Sequence, residues 1–203
     1  MSVAPDQEWQ LSPESDALIY PANGKTLVKP FILTTAVANG ALRAVDNYDY
    51  SLRTELKALG YDLIVVAHPP EGDLAKQADS VRTAILRTIA EQQGDAPLVV
   101  GGIGRGALTS RYALVKMERE RLTHQTALYF SYDGHAPSAQ EAEQLEQLGD
   151  WPTIPKLLNL ITFGEAPQVH GEQFAETKIG SPLSGEVPPV SKQHGSWLLE
   201  RLP

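Results

Sequence analysis

Cysteine is absent from this sequence of 203 residues, and basic residues are few. Without cysteine the chain can form no disulfide, no thiolate metal site and no cysteine nucleophile. The 17 Lys and Arg residues are outnumbered by 25 Asp and Glu residues, which gives a net charge of -8. No basic cluster is available to displace the counterions of a phosphate backbone. The composition therefore argues against a nucleic-acid partner and against attraction to an anionic lipid surface.

Long apolar runs are also missing, since none approaches the roughly 20 residues that span a bilayer. The first residues, MSVAPDQEWQLSPESD, are acidic and contain no apolar core of a signal peptide. We therefore expect a cytoplasmic protein with no membrane association. The mass of 22.1 kDa fits one domain over residues 1–203. Within it, we expect residues 1–15 to be a flexible N-terminal segment.

Apolar runs rich in β-branched residues alternate with helical patterns along the chain. The runs predicted as strands are LVKPFILTT, LIVVA, LVV, ALYFS and LLNLIT. Residues 73–93 place apolar side chains at spacings of three and four, which indicates an amphipathic helix. Such alternation predicts an α/β fold with a doubly wound, mostly parallel sheet. The last forty residues are rich in Gly and Pro, and we expect long loops there before a short terminal helix.

A glycine-rich turn, LVVGGIGRGAL, joins one predicted strand directly to a helix. It lacks the Lys and Ser/Thr of a phosphate-binding P-loop. Gly102-x-Gly104-x-x-Ala107 formally matches a dinucleotide-binding fingerprint, although Asp133 follows the next strand later than that fold requires. Gly102-x-Gly104-x-Gly106 matches the flanks of a nucleophile elbow, G-x-S-x-G, with glycine at the centre. A tight turn without chemistry is the fourth interpretation.

Residues 102–114 also align without a gap to the motif G-H-S-M-G-G-L-V-x-R-Y-A-L. On this motif, and on KPFILTT, LKALGYDLIVVAHPPEGD and TALYFSYDGHAP, the chain resembles bacterial lipase/esterase-like proteins of the α/β-hydrolase superfamily. The resemblance covers about residues 27–140. It implies a minimal α/β-hydrolase fold without a large lid. It also implies that Gly104 replaces the serine nucleophile.

The resemblance assigns the remaining catalytic positions by chain order, which is nucleophile, acid and then base. Glu165 follows a predicted strand where the acid would lie, and His194 precedes the terminal helix where the base would lie. His135, which follows another strand, is the second choice as base. Ser110 lies almost two turns into the helix, so we do not expect it to replace the missing nucleophile.

Two classes of function remain open. In the first, the chain is a pseudohydrolase that binds a small acyl- or carboxylate-bearing molecule or a protein partner. In the second, it is a lyase or isomerase in which His194 or His135 moves a proton and backbone amides stabilise the anion. Residual hydrolysis by activated water ranks below both. We expect Arg105 and the loop residues Val37 and Ala38 to bind the ligand, and we expect no metal and no cofactor.

Overall fold

An eight-stranded sheet forms the centre of the computed structural model, which describes residues 3–36, 45–46, 50–162, 169, 171–180 and 190–203. The strands are β1 (Gln7–Ser12), β2 (Ser15–Tyr20), β3 (Pro30–Thr35), β4 (Asp62–Ala67), β5 (Leu98–Ile103), β6 (Thr126–Tyr132), β7 (Lys156–Ile161) and β8 (Glu176–Ile179). The helices of the described ranges are α1 (Leu52–Ala58), α2 (Leu74–Glu91), α3 (Arg105–Arg119), α4 (Ala139–Leu148) and α5 (Lys192–Leu199).

The spatial order of the strands is β1-β2-β4-β3-β5-β6-β7-β8. β2 runs antiparallel to β1 and β4, and all the other neighbouring pairs are parallel. In the described ranges no lid domain is inserted between these elements. The sheet is therefore mostly parallel, as the sequence predicts.

The central strands are apolar at nearly every position because helices cover both faces of the sheet. Ile32 and Val100 pack in one core cluster with side chains of α2, α3 and α4. Phe31 and Val99, each one residue away, pack in a second cluster with side chains of α1 and α5. This two-sided burial confirms the doubly wound arrangement.

The N-terminal segment differs from the sequence expectation. Residues 1–15, expected to be flexible, contain all of β1, which pairs with β2 as an antiparallel hairpin at the edge of the sheet. Trp9 is buried there, and the Arg87 guanidinium of α2 lies 4.4 Å from the centre of its ring. An edge strand with one polar face carries only a short apolar pattern, which is why QEWQLS was not predicted as a strand. The short strand β8 likewise lies where long loops were expected.

The direction of chain winding reverses between β3 and β5. β3 has β4 on one side and β5 on the other. The chain therefore proceeds from β3 to β4 in one direction and from β5 to β8 in the opposite direction. In open α/β sheets, ligands bind beyond the carboxyl ends of the strands at such a reversal. The region just after Thr35 and Ile103 is therefore the place to look for a site.

Candidate functional site

Gly104 alone separates β5, which ends at Ile103, from α3, which begins at Arg105. Its backbone has φ 56° and ψ -122°, a conformation that residues other than glycine rarely adopt. The Gly104 N–H donates to the carbonyl of Tyr132 at 2.9 Å, and the Gly104 carbonyl accepts from the N–H of His135 at 3.2 Å. The predicted sharp strand-to-helix turn is therefore present, and we refer to it as the Gly104 turn.

Two flanking glycines allow the strands and the helix to approach each other closely. A Cβ atom added to Gly106 would lie 2.1 Å from the Thr34 carbonyl oxygen, and one added to Gly102 would lie 2.4 Å from the Gly106 carbonyl carbon. Both neighbours are backbone atoms, which cannot rotate away. The first turn of α3 therefore presses directly on β3 and β5, and this contact fixes the shape of the Gly104 turn.

The imidazole of His135 lies over Gly104. A Cβ atom on residue 104 would be 3.2 Å from His135 Nε2, and the two next nearest atoms also belong to this ring. His135 is exposed, whereas the other histidines of the described ranges, His68, His124 and His194, are buried. His135 was predicted to follow another strand, and the structure brings its ring to the tip of the turn.

The turn that carries His135 is held by Asp133. Its backbone has a positive φ of 46°, and its N–H donates to the Leu160 carbonyl. The Asp133 carboxylate accepts hydrogen bonds from the N–H of Thr162, at 2.6 Å, and from the Thr162 hydroxyl. Asp133 thus ties the end of β6 to the end of β7. A dinucleotide fold would need this carboxylate for a ribose, so its engagement argues against the dinucleotide interpretation.

His194 lies in the first turn of α5 and is almost fully buried. Its Nε2 is 3.3 Å from the Ile161 carbonyl and its Nδ1 is 2.8 Å from the Ser191 hydroxyl. Because a carbonyl only accepts, Nε2 carries the proton in the neutral ring and Nδ1 accepts from Ser191. Burial lowers the pKa of His194, partly offset by the bond to the Ile161 carbonyl. In this arrangement neither nitrogen is free to act as a base, and the role of His194 stays a prediction.

Three of the predicted site residues, Glu165, Val37 and Ala38, lie outside the described residues. Their assigned roles as acid and as ligand-binding loop therefore stay predictions. The last described residues of the strands before them are Ile161 and Thr35, which lie at the same edge of the sheet as Gly104.

The Arg105 side chain binds three acceptors of the protein itself. Its guanidinium pairs with the Glu141 carboxylate at 2.8 Å, and it donates to the Gly72 carbonyl and to Gln77 Oε1. Burial alone would raise the pKa of Glu141, but hydrogen bonds from Ser138 and the pairing with Arg105 outweigh it and lower that pKa. Because its charge is already balanced, the Arg105 side chain is a poor anion ligand. Its backbone N–H, in the first turn of α3, has no acceptor within the helix.

Ser110 is fully buried beneath the turn. Its hydroxyl lies 3.0 Å from the Gly101 carbonyl and 2.8 Å from the Thr34 hydroxyl. Since the Gly101 carbonyl only accepts, Ser110 donates to it and accepts from Thr34. A hydroxyl in this position joins α3 to β3 and β5 and cannot reach a substrate.

His68 directly follows β4, next to the end of β3, and is fully buried. Its Nδ1 donates to the Pro69 carbonyl at 2.7 Å, while its Nε2 has no hydrogen-bond partner among the described residues. Burial lowers the pKa of His68; the hydrogen bond to the Pro69 carbonyl opposes this shift and the charge of Arg105 adds to it. Across the described ranges, no group of three acidic or imidazole side chains is placed to hold a metal ion. No helix of these ranges has the length and apolarity that a bilayer crossing requires.

Comparison with solved structures identifies the class of fold. An α/β-hydrolase superfamily protein from Enterococcus faecalis superimposes with a TM-score of 0.61 at 14% identity, over 96% of this chain and 98% of that chain. Est1E from Butyrivibrio proteoclasticus gives a TM-score of 0.62 at 12% identity, over 92% and 93% of the two chains. A lidless α/β serine hydrolase from Xanthomonas campestris gives 0.56 at 13% identity, over 90% and 86%.

No protein-family profile matches the sequence. No curated protein sequence matches it either. At identities this low the structural likeness defines the fold alone. The chain has an α/β-hydrolase-type fold, as the sequence resemblance implies.

Proposed function

We propose that this chain is a pseudohydrolase, an α/β-hydrolase-fold protein without a nucleophilic hydroxyl, that binds a small acyl- or carboxylate-bearing molecule or a protein partner. The observation that supports it best is the Gly104 turn itself. Gly104 stands alone between β5 and α3 with φ 56° and ψ -122°. A nucleophile elbow places its nucleophile in this strand–turn–helix context, in a strained backbone conformation.

Acyl transfer by this fold needs a hydroxyl or thiol at the turn, with a base beside it. Gly104 supplies neither group, and the sequence contains no cysteine. Ser110, the nearest serine along α3, has a buried hydroxyl that already bonds Gly101 and Thr34. The described part of the turn therefore offers no conventional nucleophile.

The anion-stabilising part of such a site survives the loss of the hydroxyl. The N–H groups of Arg105 and Gly106 belong to the first turn of a 15-residue helix, where the helix dipole favours negative charge. Val37 and Ala38, which follow β3 in the sequence after one intervening residue, would supply further amides. We assign Arg105 to the ligand through its backbone, because its guanidinium is paired with Glu141. A carboxylate or acyl oxygen fits donors of this kind.

A second candidate function is proton transfer without a nucleophile, of the lyase or isomerase type. The position of His135 Nε2, close to the tip of the turn, favours it. His135 would take the proton and the helix amides would stabilise the resulting enolate. In the alternative with His194 as base, Glu165 would orient the ring, and the hydrogen bonds of His194 to Ile161 and Ser191 would first have to break.

The test of the pseudohydrolase uses a fluorophosphonate probe and an alkyl ester such as ethyl butyrate. We expect no labelling of any hydroxyl in the unmodified protein and no turnover of the alkyl ester. Gly104→Ser places a hydroxyl one bond beyond a Cβ that lies 3.2 Å from His135 Nε2. We expect this variant to be labelled at residue 104, while Gly104→Ala, which lacks the hydroxyl, stays unlabelled. Stoichiometric labelling of the unmodified protein at any hydroxyl would refute the proposal.

Two further measurements separate binding from proton transfer. Titration with butyrate should shift the amide NMR signals of Arg105 and Gly106 if the turn binds carboxylates. For the lyase or isomerase, deuterium should exchange into an acyl substrate next to its carbonyl, and His135→Gln should abolish the exchange. Exchange that persists in His135→Gln but disappears in His194→Gln would identify His194 as the base.

A further inference from the structure

We infer that His135 is itself a nucleophile, which accepts an acyl group from activated donors such as aryl esters. This inference rests on the proposed function, because it takes residue 104 as the vacated nucleophile position. It adds a covalent activity to that position and names its substrate class. Alkyl esters such as ethyl butyrate lie outside that class.

The position of the ring supports the inference. His135 Nε2 lies 3.2 Å from the place of a Cβ on residue 104, so it borders the volume that a serine hydroxyl would occupy. A contact of 3.2 Å is shorter than most contacts of real Cβ atoms, so the imidazole can occupy this position because residue 104 is glycine. His135 is exposed, so a substrate can reach the ring from solvent.

The backbone beneath the ring is held in place by the sheet. The Gly104 N–H bonds the Tyr132 carbonyl, and the His135 N–H bonds the Gly104 carbonyl in return. Between them, Asp133 adopts a positive φ and is anchored by Thr162. A Cβ on Gly134 would collide with Ser131 Oγ at 2.1 Å, so this segment is also packed closely. The position of His135 over Gly104 therefore follows from a defined turn.

The reaction follows from ordinary imidazole chemistry. The lone pair of neutral Nε2 attacks the carbonyl carbon, an N–C bond forms, and the negative oxygen faces the N–H groups of Arg105 and Gly106. The C–O bond to the phenol then breaks and phenolate leaves, while Nδ1 gives its proton to solvent. Water next adds to the acyl carbon and the N–C bond breaks, which releases the carboxylic acid and restores the imidazole. An alkoxide is a poorer leaving group than imidazole, so alkyl esters do not enter this route.

The experiment uses the full chain and 4-nitrophenyl acetate, with rapid quenching and mass spectrometry of the peptides. We expect an acetyl group on the peptide that contains His135, and initial nitrophenolate release at least about tenfold faster than from His135→Gln. The matched control is His135→Gln combined with Gln140→His, which moves an exposed imidazole onto α4. Gly104→Ala keeps His135 but pushes its ring from the turn, and it should also slow acylation.

Two results would overturn the inference. One is acylation of the relocated histidine as fast as that of His135, because the turn would then contribute nothing. The other is the absence of an acetyl group on His135, whether or not other residues are acetylated. Both leave the pseudohydrolase proposal intact, since that proposal fails only on labelling of a hydroxyl by the fluorophosphonate.

Discussion

Glycine is required at positions 104 and 106 for different physical reasons, and alanine substitutions should distinguish these reasons. At Gly106 the added Cβ would lie 2.1 Å from a backbone oxygen, well inside the closest contacts of real Cβ atoms. Because α3 must then move off β3, we expect Gly106→Ala to cost about 3 kcal/mol of unfolding free energy or more. At Gly104 the nearest atoms belong to the exposed His135 ring, which can rotate. Gly104→Ala should therefore cost only the conformational strain, about 1–3 kcal/mol.

Gly60 provides the matched control. It has φ +80°, and a Cβ there would meet nothing within 4 Å, so Gly60→Ala measures strain without collision. Urea unfolding of the three variants should place Gly104→Ala close to Gly60→Ala and Gly106→Ala well above both in destabilisation. If Gly106→Ala proves as mild as the other two, α3 does not press on β3 as described. The steric account of the turn would then be wrong.

Two further predictions concern buried polar groups. Burial lowers the folded-state pKa of both His68 and His194 from 6.5, so the unfolded chain binds more protons just below that pH. The free energy of unfolding should therefore be highest above about pH 7 and decrease toward about pH 5. In His194→Gln this decrease should be smaller, because one of the two histidines is gone. A urea midpoint that does not change with pH would contradict the prediction. Ser110→Ala leaves the Gly101 carbonyl and the Thr34 hydroxyl without their buried partner and should cost about 1–3 kcal/mol. The same variant should not alter fluorophosphonate labelling of Gly104→Ser, and loss of that labelling would give Ser110 a role at the site.

The sequence was most informative where burial is greatest. β3 to β7 carry nearly continuous apolar runs because both faces of the sheet are covered, and this pattern predicts the fold class correctly. The glycine-rich turn was also predictable, because Gly102 and Gly106 mark backbone contacts that no larger residue permits. The strands β1, β2 and β8 were missed, and the edge strands β1 and β8 share their polar composition with loops.

The chemistry of the site was less predictable than its place. The approach of His135 to Gly104 depends on the positive φ of Asp133 and on its anchoring by Thr162, which are tertiary features. The pairing of the Arg105 guanidinium with Glu141, which is distant in sequence, was also not predicted. Periodicity and motif spacing contain no information about such partners. The interpretation of Glu165 as the acid likewise stays a prediction from chain order.

The glycines that flank the turn make its shape independent of the residue at its tip. A Cβ at position 102 or 106 would collide with backbone, so these two glycines set how closely β3, β5 and α3 meet, whereas the atoms nearest to a Cβ at position 104 belong to the His135 ring. A change of side chain at the tip therefore changes the chemistry there while these backbone contacts remain. Proteins of this fold should accordingly keep the two flanking glycines even where the residue between them differs. In such a fold the backbone shape of the turn and the reactive side chain at its tip can therefore evolve independently.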